Sequence, residues 1–142
     1  MQSDLQSSAD AFGQALQQMV DTAENDVNTI VRTAIFKLLV ALMEDNPKDT
    51  CRCAASWMVG PGWTDWVEPE GDYRGFDPVA KAKEIMAALG DSDVYCLYNN
   101  IEYLMPLEDG HSTLRPSGFI ANNLNAFAEY MAQAARAMGY SA

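Results

Sequence analysis

The chain has 142 residues, of which 49% are hydrophobic and 20% charged, and its formal net charge is −11. This length predicts one domain over residues 1–142, with a sizeable core. The acidic balance disfavours binding to a nucleic-acid backbone, although it is compatible with a pore through which DNA passes. No run of about 18 apolar residues predicts a membrane span. The first nine residues lack the pattern of a secretory signal, so we expect synthesis in the cytoplasm and no membrane partner.

The longest periodic segment runs from Ser8 to Asp45. Its apolar residues recur at steps of three and four: Phe12, Leu16, Met19, Ala23, Val27, Ile30, Ala34, Leu38 and Ala41. This spacing predicts an amphipathic helix, capped by Ser7 or Ser8 and longer than a domain of this size needs. Such a rod would pack against a neighbour. It could also bend at Gly13 or at the polar patch 24–26, which would give two shorter core helices instead.

A corner is predicted after this helix. Pro47 ends the helix, because proline cannot continue it without the loss of a backbone hydrogen bond. Asp49 and Thr50 are turn formers. The residues that follow place small and apolar side chains on one face in alternation, which predicts a strand: Cys53, Ala55, Trp57 and Val59.

Residues 60–78 form a predicted loop that is acidic and rich in glycine and proline. The loop also carries four aromatic residues: Trp63, Trp66, Tyr73 and Phe76. Aromatic side chains are enriched at the centres of protein interfaces, so these four are candidate interface residues. Packing against the core of the same domain is the alternative.

The second half of the chain contains two more helices and a strand. Asp77-Pro78 predicts the start of a short helix that Gly90 closes. Val94 to Tyr98 is apolar on both faces, which predicts a central strand. Residues Met105 to Gly118 form a polar segment with no predicted helix or strand. A last helix follows, in which apolar residues recur at steps of three and four and Gly139 marks the end. That helix could dock on its own sheet or form a seam between subunits.

The predicted fold class is therefore α+β. It combines a long N-terminal helix, a small and mostly antiparallel sheet, and a short middle helix and a C-terminal helix packed on it.

Few residues suggest catalysis or metal binding. The odd number of cysteines indicates reduced thiols. Cys51, Cys53, Cys96 and the single histidine, His111, could form a zinc site, but the paired Cys-X-X-Cys spacing is absent. We expect no metal and no cofactor.

Glu108 and His111 could serve a small metal-dependent or acid–base hydrolase. No nucleophile with a partner base accompanies them, so we expect that the chain is not an enzyme.

Two motifs resemble those of one protein family. The first is a turn and strand with Pro47, Asp49, Thr50, Arg52 and Trp57. The second follows the predicted strand and contains Asn99, Asn100, Tyr103, Leu107, Glu108, Gly110, His111 and Ser112. Their order, with helices between them, resembles the neck and tail-completion proteins of tailed bacteriophages, of the lambda minor tail protein Z kind.

Several residues depart from the family pattern. Lys48 differs from it, Cys51 replaces a glycine, Glu102 replaces a proline, and Asp109 replaces an aromatic residue. Because a glycine would supply a positive φ, we expect the turn at Cys51 to differ.

The resemblance implies a virion structural protein at the head–tail joint, made in the host cytoplasm. Such a protein would form a ring, a hexamer, that completes the tail and leaves a channel for DNA. Its other partners would be head–tail connector or stopper, tail terminator or tail tube proteins. A tail terminator ring that caps the tail tube is the alternative. The resemblance also implies a structural turn at 107–112, with Glu108 paired to Arg52 or Arg115.

Overall fold

A computed structural model describes residues 2–109 and 118–141. It confirms the predicted fold class, with a long N-terminal helix, a small antiparallel sheet and shorter helices that pack on the long one. The elements are α1 (Gln2–Asp45), α2 (Arg52–Ala55), β1 (Met58–Gly60), α3 (Pro78–Ala88), β2 (Cys96–Tyr98), α4 (Leu104–Glu108) and α5 (Phe119–Ala137).

Helix α1 is one uninterrupted helix of 44 residues. At a rise of 1.5 Å per residue it extends about 66 Å. The alternative of a bend at Gly13 or at 24–26 does not hold. The expected caps at Ser7 or Ser8 were wrong, because both residues lie inside the helix. The predicted end was right: the helix stops at Asp45, before Pro47.

The sheet consists of two short antiparallel strands, in which Val59 lies opposite Leu97. The prediction of a strand from Cys53 was wrong, because residues 52–55 form the single helical turn α2. The predicted strand at 94–98 is shorter at its start, since β2 begins at Cys96. Val94 is exposed and so is not part of a covered central strand.

Helix α3 begins as predicted, with the Asp77 carboxylate accepting the backbone N–H groups of Val79 and Ala80. Its last residue, Ala88, lies just before Gly90. The prediction of an irregular polar segment from Met105 was wrong for its first residues, because the chain forms the short helix α4 there.

Helix α5 packs chiefly along α1 rather than on the sheet. The two helices are antiparallel. Near the start of α5, Asn123 donates to Asp45 at 3.0 Å, and further along Lys37 donates to Gln133 at 3.2 Å. Beyond the end of α5, the hydroxyl of Tyr140 donates to Asp26.

The core lies where the C-terminal half of α1 meets α3, α5 and β1. It is formed by Ile35, Leu38, Leu39, Leu42, Met43, Trp57, Val59, Ala82, Met86, Leu89 and Phe119. All α1 residues in this set come after residue 34. The first half of α1 therefore has no share in the core of the described chain.

Candidate functional site

The two sequence motifs meet in one corner of the fold. Residues of both line a cavity of about 350 Å³: Pro47, Asp49, Thr50, Cys51, Arg52, Cys53, Tyr103 and Leu107. The two motifs are separated by residues 58–98, so tertiary packing brings them together. Gly110, His111 and Ser112 of the second motif, and Arg115, lie outside the described residues.

The turn at Cys51 keeps the backbone geometry that a glycine would supply. Cys51 has φ 64° and is the only described residue other than glycine with a positive φ. The expectation that this turn would differ was wrong. A side chain in this left-handed region costs about 1–2 kcal/mol. The thiol of Cys51 is buried, so its packing offsets part of that cost.

Asn46 holds the inner side of the corner, although no sequence pattern indicated this role. Its side chain is fully buried. The amide oxygen accepts the indole N–H of Trp57 at 3.0 Å and faces the thiol of Cys53 at 3.5 Å. The amide nitrogen donates to the carbonyl of Pro47 at 3.0 Å. A buried side-chain amide thus joins the end of α1 to the start of the sheet.

Cys53 is a structural thiol rather than a nucleophile. Burial is the main cause that raises its pKa to about 11, and the Asn46 hydrogen bond opposes this only in part. A thiol with a raised pKa stays protonated near neutral pH and reacts slowly. All three cysteines of the chain are free.

The two asparagines after β2 bind two different segments. Asn99 donates to the carbonyl of Cys53 at 2.9 Å and so holds the corner. Asn100 holds the aromatic loop: it donates to the carbonyls of Thr64 and Trp66 and accepts the indole N–H of Trp63 at 2.8 Å.

Arg52 holds the other end of the aromatic loop. Its Nε donates to the carbonyl of Glu68 at 2.8 Å. The Glu68 carboxylate forms an ion pair with Lys81, and both side chains are mostly buried. The Lys81 ammonium lies 5.7 Å from the centre of the Trp66 ring. The loop is therefore anchored to α2 and α3.

Glu108 caps α5. Its two carboxylate oxygens accept the backbone N–H groups of Ile120 at 2.7 Å and Ala121 at 3.1 Å. These are N–H groups that a helix start leaves without a partner, and a negative charge is favourable there. The predicted pairing of Glu108 with Arg52 was wrong, because these two side chains have the separate partners just described.

The four aromatic candidates of the loop fall into two groups. Phe76 packs against the core, and Trp66 and Tyr73 are partly buried, so the alternative of packing within the domain holds for them. Trp63 is 64% exposed, although its indole N–H is bonded to Asn100. Trp63 alone of the four presents a large apolar surface to solvent.

A second exposed apolar surface lies elsewhere, on the first half of α1. We call residues 2–25 the projecting segment. Every residue from 4 to 25 is exposed. Its large exposed side chains are Leu5, Phe12, Leu16, Met19 and Val20. Most helical stability in proteins comes from packing of an apolar face, and contiguous exposed apolar surface indicates an interaction site. The sequence periodicity predicted Phe12, Leu16 and Met19 of this stripe, and a rod that outreaches its own core was one of the two alternatives that it left open.

Metal binding and membrane insertion find no support among the described residues. They contain no group of three or more His, Cys, Asp or Glu side chains placed to hold a metal ion. His111, which the rejected zinc alternative would need as a ligand, lies outside them. No helix in the described ranges has the length and hydropathy needed to cross a membrane.

Comparison of the chain with protein-family models, curated proteins and solved structures finds no match in any of the three. The candidate function therefore depends on the geometry above and on the motif resemblance.

Proposed function

We propose that this chain is a structural subunit of the head–tail joint of a tailed bacteriophage, where copies assemble into a ring around a DNA channel. The projecting segment carries this proposal. It is a helix of about 36 Å, at 1.5 Å per residue, that leaves the core with an apolar stripe along it. An exposed apolar stripe on a helix that leaves the core is a surface to which another molecule can bind.

The polar corner supports a structural role. In the described part of the chain, the motif residues mostly bond to backbone groups or pack in the corner. Glu108, which an enzyme would use as an acid or base, has both oxygens occupied by the start of α5. A network of this kind makes a rigid body from which a helix can project in a fixed direction.

The charge of the projecting segment suits a wall near DNA. Its acidic residues are Asp4, Asp10, Asp21 and Glu24, and the first basic residue of the chain is Arg32. Negative side chains repel phosphate, so DNA would pass such a surface without being retained.

The proposal is tested by native mass spectrometry and electron microscopy of the purified protein over a range of concentrations. We expect a closed ring with a central channel, and six copies if the family resemblance holds. The genes beside this one provide an independent test, since portal, capsid and tail genes are expected there. A protein that never forms closed rings, encoded among genes unrelated to virions, would refute the proposal.

A further inference from the structure

We infer that the projecting segment binds the same segment of a second copy of this chain, in antiparallel orientation about a two-fold axis. The inference goes beyond the proposed ring and does not depend on it. A two-fold contact joins only two copies, so in a ring assembly it would link chains of two different rings and the ring itself would close through other surfaces. It follows from the spacing of the stripe, the sizes of its side chains, its charges and the position where the body begins.

The stripe has the spacing of a coiled-coil seam. Its positions alternate in steps of four and three along the exposed helix: Leu5, Ala9, Phe12, Leu16, Met19 and Ala23. The positions that flank the seam carry no charge: Gln6, Ser8, Gly13, Ala15, Val20 and Thr22. The four acidic side chains of the segment all lie at the outer positions. Two copies can therefore approach although both segments are acidic.

Side-chain sizes select the antiparallel orientation. In a parallel pair, equivalent residues face each other, so Ala9 and Ala23 would each meet only another alanine and leave thin layers. In an antiparallel pair centred on Gln14, Leu5 faces Ala23 and Ala9 faces Met19 of the second copy. Each of these layers then combines a large and a small side chain, which fills the space evenly.

The remaining features fit the same register. Phe12 faces Leu16 at the centre, and Gly13 beside them lets the helices approach closely. A two-fold contact is self-complementary, since each residue finds the partner that its own partner finds. In the antiparallel arrangement the two helix dipoles point in opposite directions, which stabilises the pair modestly.

The part of the chain that packs against α1 leaves room for this pairing. In this register the partner's helix begins at a level with Asp26. The packing of the chain against α1 also begins there, since Tyr140, just beyond α5, contacts Asp26. At the same level, Ala23 and Val27 line a groove of about 570 Å³ together with Val31 and Tyr95. Polar side chains, Glu24, Asn28, Ser92 and Asp93, complete the lining of the groove. The seam therefore ends in a groove of mixed polarity that the first turn of the partner helix can reach.

The buried area suits a weak contact. The four large side chains of the stripe are 47–68% exposed. At roughly 200 Å² for a large side chain, pairing would remove on the order of 500 Å² per copy from water. The total of about 1,000 Å² is in the range of weak interfaces, so we expect a dimer that dissociates on dilution.

Cysteine cross-linking tests the orientation with small changes at flanking or small positions. One variant carries Ser8→Cys and another Thr22→Cys. The two are mixed, diluted, concentrated together and treated with a short bismaleimide. Residues 8 and 22 of opposite copies lie side by side in the antiparallel pair, so the mixture should give a dimer with one chain of each kind. Either variant alone should give no more product than wild type, since its two cysteines would be about 18 Å or 24 Å apart along the axis.

Ala23→Cys provides the opposite test, because residues 23 of two copies meet only in a parallel pair. Cross-linking of Ala23→Cys alone, or no product from the mixture, would overturn the inference. The wild-type protein controls for the native thiols, of which Cys51 and Cys53 are buried.

A charge in the seam tests whether the stripe is the contact. Leu16→Glu should abolish the dimer in light scattering, whereas Gln14→Glu adds the same charge at the outer face and should leave it intact. Equal behaviour of the two variants would contradict the inference. If rings form but the mixed variants do not cross-link, the pairing is refuted and the proposed function stands. If the mixed variants cross-link but no rings form, the pairing stands and the proposed ring is refuted.

Discussion

Replacement of Asn46 by alanine should destabilise the fold far more than the loss of an exposed asparagine. The change leaves the buried indole N–H of Trp57 without its acceptor, and the carbonyl of Pro47 without its donor. An unsatisfied buried polar group costs about 1–3 kcal/mol. The small cavity adds on the order of 1 kcal/mol. We therefore expect the free energy of unfolding to fall by about 3 kcal/mol.

The assay is urea denaturation followed by circular dichroism at 222 nm, with Asn125→Ala as the control. Asn125 is exposed on α5, so its replacement should change stability by about 0.5 kcal/mol or less. Measurements at low concentration keep self-association from contributing to the result.

A double-mutant cycle isolates the hydrogen bond itself. Trp57→Phe removes the donor, so Asn46→Ala should cost less in that background, with a coupling of about 1–2 kcal/mol. Additive effects of the two changes, or a cost for Asn46→Ala no larger than for Asn125→Ala, would refute the account of the corner.

Three further predictions concern the corner and the start of α5. Cys51→Gly should be about 1 kcal/mol more stable than Cys51→Ala in thermal unfolding, because both lack the thiol and only alanine is strained at positive φ; equal stabilities would contradict this. Since burial raises the pKa of Cys53 to about 11 from its ordinary 9.0, the folded state holds the proton more tightly than the unfolded state. That stabilisation is complete below pH 9 and is lost by about pH 11. Between pH 9 and pH 11 the free energy of unfolding of the wild type should therefore fall by about 2–3 kcal/mol more than that of Cys53→Ala. Parallel pH profiles of the two proteins would refute this prediction. Glu108→Ala should cost about 1–2 kcal/mol in urea denaturation through loss of the cap on α5, whereas Asp109→Ala should cost little; similar costs for both would argue against the cap.

The helices were largely predictable because their signals are local. The Asp77-Pro78 pair specifies a helix start through groups within three residues, and Pro47 ends α1 through its own ring. The repeat of three and four in α1 and α5 requires only that each helix has one apolar side. These signals do not depend on the rest of the chain, so the sequence by itself determined the α+β class and the order of the three longer helices.

Tertiary structure decided which surfaces are covered and which polar groups meet. Alternation from Cys53 to Val59 predicted a strand, yet residues 52–55 form a helical turn beside a buried amide that no sequence pattern marked. Glu108 found the start of α5, and the periodic stripe of α1 continued past the end of the core. Contacts of this kind depend on how distant segments pack, and a helical period is the same whether its apolar side faces a core, a second copy or water.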